Sequence, residues 1–307
     1  IRRIYDAGRY FITITGSSSK LLSSEIATSL RGRSISYEVF PFSFREYLSH
    51  LGQEPQKESD RLPKSTRSGL ENQLQVYLSD GGFPEALGTS ARDRVDLLRG
   101  YVDVALLRDV VERYAVSHPV ALRWMTRHLL GNAAGSFSIN RFHGDLRSQG
   151  VPVAKDTLHA YLGYLEDAFL IRTVSLASPS ERRRMVNPRK VYPVDPGLIP
   201  LYDRTGRRNA GHALETCVML ELERRGAEIS YVRTHSGFEV DFLAIFPDGR
   251  QELIQVTADL SDADTFARET RALTEATSEH RKATLHLISL DQASPPGLPS
   301  GITWHSA

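Results

Sequence analysis

The stretch FITITGSSS, residues 11–19, alternates apolar residues with threonine and then runs into a glycine–serine turn. This pattern predicts a buried strand that delivers small hydroxyl groups to a site at its end. A helical pattern, LLSSEIATSL, follows at 21–30, and a second strand pattern, SISYEVF, at 34–40. Because no earlier strand precedes FITITG to pair with it, we expect residues 1–40 to be the least well-packed part of the chain.

Composition limits the class of protein. The chain has 307 residues, 40% of them hydrophobic and 24% charged, which is enough for two or three globular domains. It shows no signal peptide and no apolar run of the roughly 18–20 residues that a membrane span needs. One cysteine, Cys217, excludes a disulfide framework, and its helical setting predicts an inert core residue. We therefore expect a cytoplasmic protein with no membrane contact.

Residues 41–117 carry mainly helical patterns, at SFREYLSHL, ENQLQVYLSDGGF and RVDLLRGYVDVALLRDVVERY. A polar, proline-containing segment, QEPQKESDRLPKSTRSG (53–69), separates the first two and predicts a surface loop. The order glycine then proline in Gly81-Gly82-Phe83-Pro84 marks a helix end.

Residues 118–190 show three helical patterns and then two strands, IRTVSLA and RKVYPVD, which predict a hairpin with an arginine-rich tip. Ser138 is placed to cap the second helix. This segment carries eleven lysines and arginines against five acidic residues, a net charge of +6, whereas the whole chain carries only +1. Such a basic segment suggests a polyanionic partner, although a solvated basic face would have the same composition.

Residues 191–307 read as α/β. A helix, AGHALETCVMLELERRG, precedes the strands ISYVRT, EVDFLAIF and QELIQVTAD. The last two are joined by Pro-Asp-Gly-Arg, which favours a tight hairpin turn. A further helix, TFARETRALTEAT, a strand, ATLHLISLD, and a final edge strand, GITWHSA, complete the segment.

Nucleotide binding of the P-loop type needs G-x-x-x-x-G-K-[ST], since backbone N–H groups and a lysine hold the phosphates. None of the six lysines follows a glycine. The chain therefore lacks a Walker A motif, and it also lacks a hydrophobic run ending in Asp-Glu that could hold magnesium.

The motifs nevertheless resemble, in combination, a bacterial and archaeal family of AAA-type P-loop ATPases with a C-terminal domain of unknown function. The resemblance covers nearly the whole chain. Its signatures are FITITGSSSKLLSSEIATSLRGR, PFSFREYL, GGFPE, YVDVALLRDVVERY, LEDAFLI, KVYPVDPGL, ALETCVMLEL and EVDF. It implies that the part bearing both nucleotide-binding motifs is missing here.

The resemblance also implies roles for two residues. Ser17, or a neighbouring serine, would occupy the polar sensor position that orients the attacking water, and Arg33 would act like an arginine finger on the transferred phosphoryl group. ATP and Mg²⁺ would then be cofactors of the full-length protein, and none is expected for this fragment. The alternative is that Ser17 to Ser19 cap the following helix and that Arg33 pairs with a surface acid.

Three helices followed by a basic hairpin fit a winged helix. Its third helix would present Lys155, Thr157 and His159 to a DNA major groove, with Arg182, Arg183 and Arg184 on phosphates. Winged helices also mediate protein contacts, so a protein partner stays open.

The order of elements after residue 191 is that of the restriction-endonuclease-like fold, in which carboxylates hold Mg²⁺ and a lysine assists the attacking water. Glu215 and Asp241 match the metal ligands, but Gln255 stands for the next acid and Thr257 for the lysine. A neutral amide and a hydroxyl weaken metal binding and chemistry together, so we expect an inactive scaffold and no bound metal, with an active nuclease as the alternative. If Glu215 and Asp241 converge, a metal, Arg233 or His235 must compensate their charge.

The sequence thus predicts a multi-domain α/β and α protein. Its parts are an ATPase-core remnant (1–40), a helical lid (41–117), a winged helix (118–190) and a degenerate nuclease-like domain (191–307). The leading hypothesis is the C-terminal part of an AAA-type ATPase acting on DNA or a protein. The alternatives are a DNA-binding module without catalysis and a metal-dependent nuclease. The sequence does not specify an oligomeric state.

Overall fold

A computed structural model of the protein describes residues 12–17, 35, 37–55, 63–203 and 209–307. These residues form a mixed α/β structure with one eight-stranded sheet and ten α-helices. The strands are β1 (Ser136–Phe137), β2 (Ile171–Leu176), β3 (Arg189–Pro193), β4 (Glu228–Arg233), β5 (Glu239–Ile245), β6 (Gln251–Thr257), β7 (Thr284–Ser289) and β8 (Ile302–Ser306).

The helices fall before, between and after these strands. They are α1 (Phe44–His50), α2 (Lys64–Asp80), α3 (Ala91–Val104), α4 (Pro119–Gly131), α5 (Ile139–Ser148), α6 (Lys155–Asp167), α7 (Glu181–Val186), α8 (Ile199–Tyr202), α9 (Ala210–Arg224) and α10 (Ala263–Ala276). A π-helical segment, Ala105–Glu112, continues α3, and short 3₁₀ turns lie at Pro84–Ala86 and Pro196–Leu198.

The sheet runs in the order β1-β3-β2-β4-β5-β6-β7-β8. The β1–β3, β3–β2, β4–β5 and β5–β6 pairs are antiparallel, whereas β2–β4, β6–β7 and β7–β8 are parallel. Ser175 pairs with Ser230 across the β2–β4 junction. That junction joins the strands of the middle segment (residues 118–190, with β3 continuing to Pro193) to the strands of the last segment (residues 191–307).

The middle segment packs α4, α5 and α6 on each other because each carries a buried apolar stripe. Leu122 and Met125 of α4 and Leu158 and Leu165 of α6 are fully buried in one core. Ser138 caps α5, as its position in the sequence predicts, by accepting the Arg141 N–H.

The two faces of the later strands pack on different helices, as the two-residue period of a strand requires. Phe242 and Ile254 share a core with Leu214 and Leu220 of α9. Their neighbours Leu243 and Leu253 share another with Leu273 of α10. The β5–β6 turn is the predicted tight one, with Gly249 at a φ of +84°.

A buried aspartate joins the GGFPE segment to the start of the Pro196–Leu198 turn. Asp195 accepts the Gly82 N–H through Oδ2 at 2.7 Å and the Gly197 N–H through Oδ1 at 2.9 Å. A β-carbon on Gly197 would lie 2.4 Å from the Asp80 carbonyl oxygen, so only glycine allows this approach. The contact fixes the end of α2 against the turn that leads into α8.

Three local expectations were wrong. Residues 12–17, 35 and 37–40 have no strand pairing where the sequence predicts two strands, and Ile35, Tyr37 and Val39 are exposed. The arginine-rich tip between β2 and β3 is the short helix α7, which Ser180 caps. The predicted 53–69 loop ends early, because α2 begins at Lys64.

No helix among the described residues has the length and apolar character to cross a membrane. Burial raises the pKa of the Cys217 thiol, which lies half-buried on α9.

Candidate functional site

A buried lysine lies at the centre of a group of acids in the sheet. Lys190 and Tyr192 alternate along β3, Glu215 lies on α9, and Glu239 and Asp241 alternate along β5. Lys190 is 4% exposed, and Glu215 and Asp241 are each 7% exposed. These five residues are called the Lys190 cluster below.

The ammonium of Lys190 has three N–H donors, and three carboxylates lie within reach of it. Its Nζ lies 2.7 Å from Asp241 Oδ1, 3.0 Å from Glu215 Oε1 and 3.1 Å from Glu239 Oε1. The Tyr192 hydroxyl also donates to Glu215 Oε1, at 2.8 Å. The cluster is therefore a hydrogen-bonded ion network that joins the middle segment to the last one.

Burial and charge act against each other in this network. Burial alone would lower the pKa of Lys190, but the carboxylates of Asp241, Glu215 and Glu239 raise it above its ordinary value. Burial, followed by the charge of Asp241, raises the pKa of Glu215 to about 7, although Lys190 opposes this. The pKa of Tyr192 is also raised, first by burial and then by Glu215. Lys190 is thus charged at neutral pH, and burial lets Glu215 keep its proton to a higher pH than a solvent-exposed glutamate does.

Behind Asp241, a second set of hydrogen bonds fixes its other atoms. Asp241 Oδ2 accepts the Val256 N–H at 3.0 Å, and the Asp241 N–H donates to Gln255 Oε1 at 3.2 Å. Gln255 Nε2 in turn donates to Glu269 Oε2 at 2.7 Å. Burial raises the pKa of Glu269, which Arg268 opposes. Gln255 is therefore a structural link between two acids.

The structure brings three of the four predicted nuclease-type residues together. Glu215 and Asp241 meet at Lys190, and Gln255 contacts Asp241 from β6. Thr257 does not join them, since its hydroxyl contacts the Asp259 carbonyl oxygen at 3.4 Å.

The compensating cation is Lys190 and neither of the two basic residues proposed from the sequence. Arg233 binds Glu239 from the outside at 3.3 Å, and His235 is exposed, 3.8 Å from Glu279. The sequence feature that could have identified Lys190 is its alternation with Tyr192 in a strand of buried residues. This alternation places both side chains on one face of the strand.

Mg²⁺ does not fit these residues. Both Asp241 oxygens already accept hydrogen bonds, the ammonium lies between the two carboxylates, and Gln255 offers no charge. In the described part of the chain, no group of three or more histidines, cysteines, aspartates or glutamates is arranged to hold a metal ion. The arrangement is therefore that of carboxylates paired with an ammonium and with hydrogen-bond donors of the protein.

A second polar site lies at Ser17, the residue that follows FITITG. Ser17 Oγ donates to Asp109 Oδ1 at 3.2 Å and accepts from Arg108 Nη2 at 3.2 Å. Asp109 is buried in the π-helical segment, and Arg113 Nη2 lies 3.6 Å from the same Oδ1. The Arg113 Nη1 atom is buried and has no hydrogen-bond partner among the described residues. Arg33, the other predicted residue, lies outside the described residues.

The predicted DNA-contacting residues lie on two elements. In the first turns of α6, Lys155 and His159 are exposed and Thr157 is half-buried. On α7, Arg182 and Arg183 are exposed, whereas Arg184 is half-buried and pairs with Glu181. Met185 and Val186 are exposed apolar residues of the same short helix.

Comparisons with known protein families match two parts of the chain. Residues 1–48 match a family described as an AAA domain, and residues 71–206 match one described as a domain of unknown function (DUF8612). No solved structure matches the chain.

Two curated relatives match over most of this chain. An uncharacterized protein of Methanocaldococcus jannaschii is 34% identical over 281 residues, which are 90% of this chain and 61% of the relative. An uncharacterized protein of Haemophilus influenzae is 30% identical over 235 residues, or 76% of this chain and 56% of the relative. The chain thus spans about three fifths of the length of these relatives. It is similar to an AAA domain at one end and to a domain of unknown function over the segment from α2 to α8.

Proposed function

We propose that this chain is the C-terminal part of an AAA-type ATPase, and that Ser17 faces the nucleotide in the whole protein. The observation that carries the proposal is the hydroxyl of Ser17, which lies between Arg108 and Asp109. Ser17 belongs to the stretch that matches an AAA domain, whereas the other two residues belong to the π-helical segment.

The charges around Ser17 favour a phosphate ligand. Arg108 and Arg113 both approach the single carboxylate of Asp109, which leaves one positive charge in excess. In the described part of the chain Arg113 Nη1 is a buried donor without an acceptor, and a phosphoryl oxygen is the kind of acceptor that forms strong bonds with guanidinium groups. Short π-helical insertions are frequent at functional sites. These residues would therefore line the phosphate side of a nucleotide held by other parts of the protein.

The chain alone does not supply the nucleotide pocket, since its sequence contains no Walker A motif. ATP and Mg²⁺ are thus proposed for the full-length protein only. We expect no thermal stabilisation of the 307-residue chain by micromolar ATP with Mg²⁺. A clear stabilisation would show that the pocket lies within this chain.

The direct test is ATP hydrolysis by the full-length protein that includes the upstream reading frame. We expect Arg108→Ala and Ser17→Ala to lower kcat at least about tenfold, because groups that stabilise the transferred phosphoryl charge contribute large factors to the rate. Arg92→Ala is the matched control, since Arg92 is an exposed arginine on α3. Rates within twofold of this control for both variants would contradict the proposal.

Contact with DNA is a second candidate function. The order α4-β1-α5-α6-β2-α7-β3, with antiparallel β1–β3–β2 pairing, resembles that of a winged helix whose wing tip carries a short helix. Lys155 and His159 are exposed at the start of the helix that would enter the major groove, and Arg182 and Arg183 are exposed on the tip. If this surface does not contact DNA, we expect it to contact a protein partner.

DNA contact is tested by the salt dependence of binding to duplex DNA. We expect the Lys155→Ala/Arg183→Ala variant to bind more weakly and to reduce the slope of log K against log salt by about 1, since the phosphate contact of Arg183 contributes about 0.9. Arg281→Ala/Lys282→Ala removes the same charge from an exposed turn elsewhere and controls for net charge. If both double variants bind DNA equally well, the surface of α6 and α7 does not contact DNA, and a protein partner would be expected there.

For the remaining segments, we propose that residues 41–117 act as a lid and residues 191–307 as a nuclease-like scaffold without catalysis. The Lys190 cluster supports this, because an ammonium lies where the acids would otherwise face a metal. DNA cleavage in Mg²⁺ or Mn²⁺ that Asp241→Ala abolishes would contradict it.

A further inference from the structure

The Lys190 cluster has the geometry of a cation site. Oxygens from three carboxylates, on α9 and β5, approach one point at the surface of β3. The Nζ atom at that point lies 2.7 to 3.1 Å from all three. Those are ordinary N–H···O distances, whereas divalent metal–oxygen bonds are about 2.0–2.6 Å long. The oxygens therefore surround a cation, and the cation is part of the chain.

The charges show that the site depends on this cation. Three carboxylates face one ammonium, and among the described residues only Glu239 of the three has a second cationic partner, Arg233. Glu215 and Asp241 are buried, and in the part of the chain that the structure describes they form ion pairs with Lys190 alone. Isolated buried carboxylates are strongly unfavourable unless they are paired or coordinate a metal. Without the ammonium, these acids would need another cation or protons.

Lys190 comes from a different segment than the acids. It lies on β3, directly after the α7 tip, and pairs with Ser136 of β1 and Val174 of β2. Its side chain thus reaches out of the middle segment into the acids of α9 and β5. The same contact that satisfies the acids also fixes the two segments together.

We infer that the Lys190 ammonium replaces a divalent metal ion in this cluster, so that the native protein binds no such ion there. The acids of the cluster keep the ability to bind a hard divalent cation when the ammonium is removed. The inference is independent of the proposed ATPase role, because it concerns only residues of β3, β5 and α9.

The test measures Mn²⁺ binding to the 307-residue chain and its Lys190→Ala variant. Mn²⁺ suits carboxylate ligands and gives an electron paramagnetic resonance signal that is lost on binding. We expect the wild-type chain to bind no Mn²⁺ at 1:1 stoichiometry, and its thermal midpoint to be the same in Mn²⁺ and in EDTA. We expect Lys190→Ala to bind one Mn²⁺ and to be stabilised by it. At free Mn²⁺ ten times Kd, the folding equilibrium constant should rise about tenfold.

The double variant Lys190→Ala/Asp241→Asn is the matched control, since it keeps the space but loses the central acid. It should lose the Mn²⁺ response. If Lys190→Ala does not fold in EDTA, recovery of native circular dichroism with Mn²⁺ supports the inference. Lys190→Met, which keeps most of the side-chain packing, provides a second background. Absence of any Mn²⁺ effect in both single variants, or an equal effect in the wild type, overturns it.

Discussion

Gly81 lies so close to Asp195 that a β-carbon on Gly81 would stand 1.8 Å from the Asp195 Oδ1 atom. Gly81 ends α2 at a φ of +82°, where residues with a side chain are strained. The next residue, Gly82, donates its N–H to the same carboxylate. Segments 113 residues apart in sequence are thus interlocked through one buried acid.

Gly81→Ala is expected to lower the free energy of unfolding by roughly 3 kcal/mol or more, because it combines an overpacked contact with a strained backbone. Gly88→Ala is the matched control. Gly88 also has a positive φ, +71°, but its β-carbon would meet no atom within 4 Å, so only the backbone cost of about 1–2 kcal/mol applies. Urea unfolding of both variants measures the difference. Equal losses would show that the Asp195 contact is not tight.

The pH dependence of stability should reveal the same aspartate. Burial raises the pKa of Asp195 to about 7, against the bonds from Gly82 and Gly197, from an ordinary value of 3.8. The folded state therefore keeps this proton up to about pH 7, whereas the unfolded chain releases it near pH 4. The stabilisation is full below pH 4 and is lost as the pH rises towards 7, by roughly 4 kcal/mol at most.

Asp195→Asn isolates this contribution. The variant has no titrating group, and its amide N–H₂ faces a backbone N–H, so we expect it to be less stable than the wild type at pH 5. The difference in unfolding free energy should shrink between pH 5 and pH 8 as the wild type loses its advantage. A difference that grows with pH would mean that the folded state prefers the ionised carboxylate.

Much of the fold could be predicted from local patterns. The helices α4, α5, α6, α9 and α10 and the strands β4 to β8 all lie where period and punctuation indicate, because each buries a face of its own. The turn chemistry of Asp248-Gly249 also determined the β5–β6 hairpin. The arginine-rich tip was predicted as a hairpin loop, but Ser180 and the following residues have enough capping and helix propensity to form α7.

The candidate site was only half predictable. Glu215, Asp241 and Gln255 lie on elements whose order in the sequence indicates that they meet. Lys190 lies in another predicted segment, and nothing local shows that its side chain crosses the segment boundary. That contact arises from the parallel β2–β4 pairing, a long-range feature that periodicity does not encode.

Glu215 and Asp241, the two buried acids among the three that bind Lys190, should respond differently to neutral substitutions. Glu215→Gln keeps an oxygen for Lys190 and Tyr192 and removes one of three negative charges, so we expect a change within about 1 kcal/mol at pH 8. Asp241→Asn instead turns an N–H₂ group towards either Lys190 Nζ or the Val256 N–H, both of which are donors. We expect it to cost about 2–4 kcal/mol. Equal losses in urea unfolding would contradict the assigned hydrogen bonds.

Returning an acid to position 255 should destabilise the protein. Gln255 Nε2 donates to Glu269 Oε2 at 2.7 Å, so Gln255→Glu would place two carboxylates against each other in the core beside Asp241. We expect a loss of about 2–4 kcal/mol at pH 8 and less at pH 5, where a shared proton can replace the amide N–H. Gln251→Glu, half-exposed on the same strand, should change little at either pH. Urea unfolding at the two pH values decides between them, and a pH-independent loss in Gln255→Glu would assign the cost to packing.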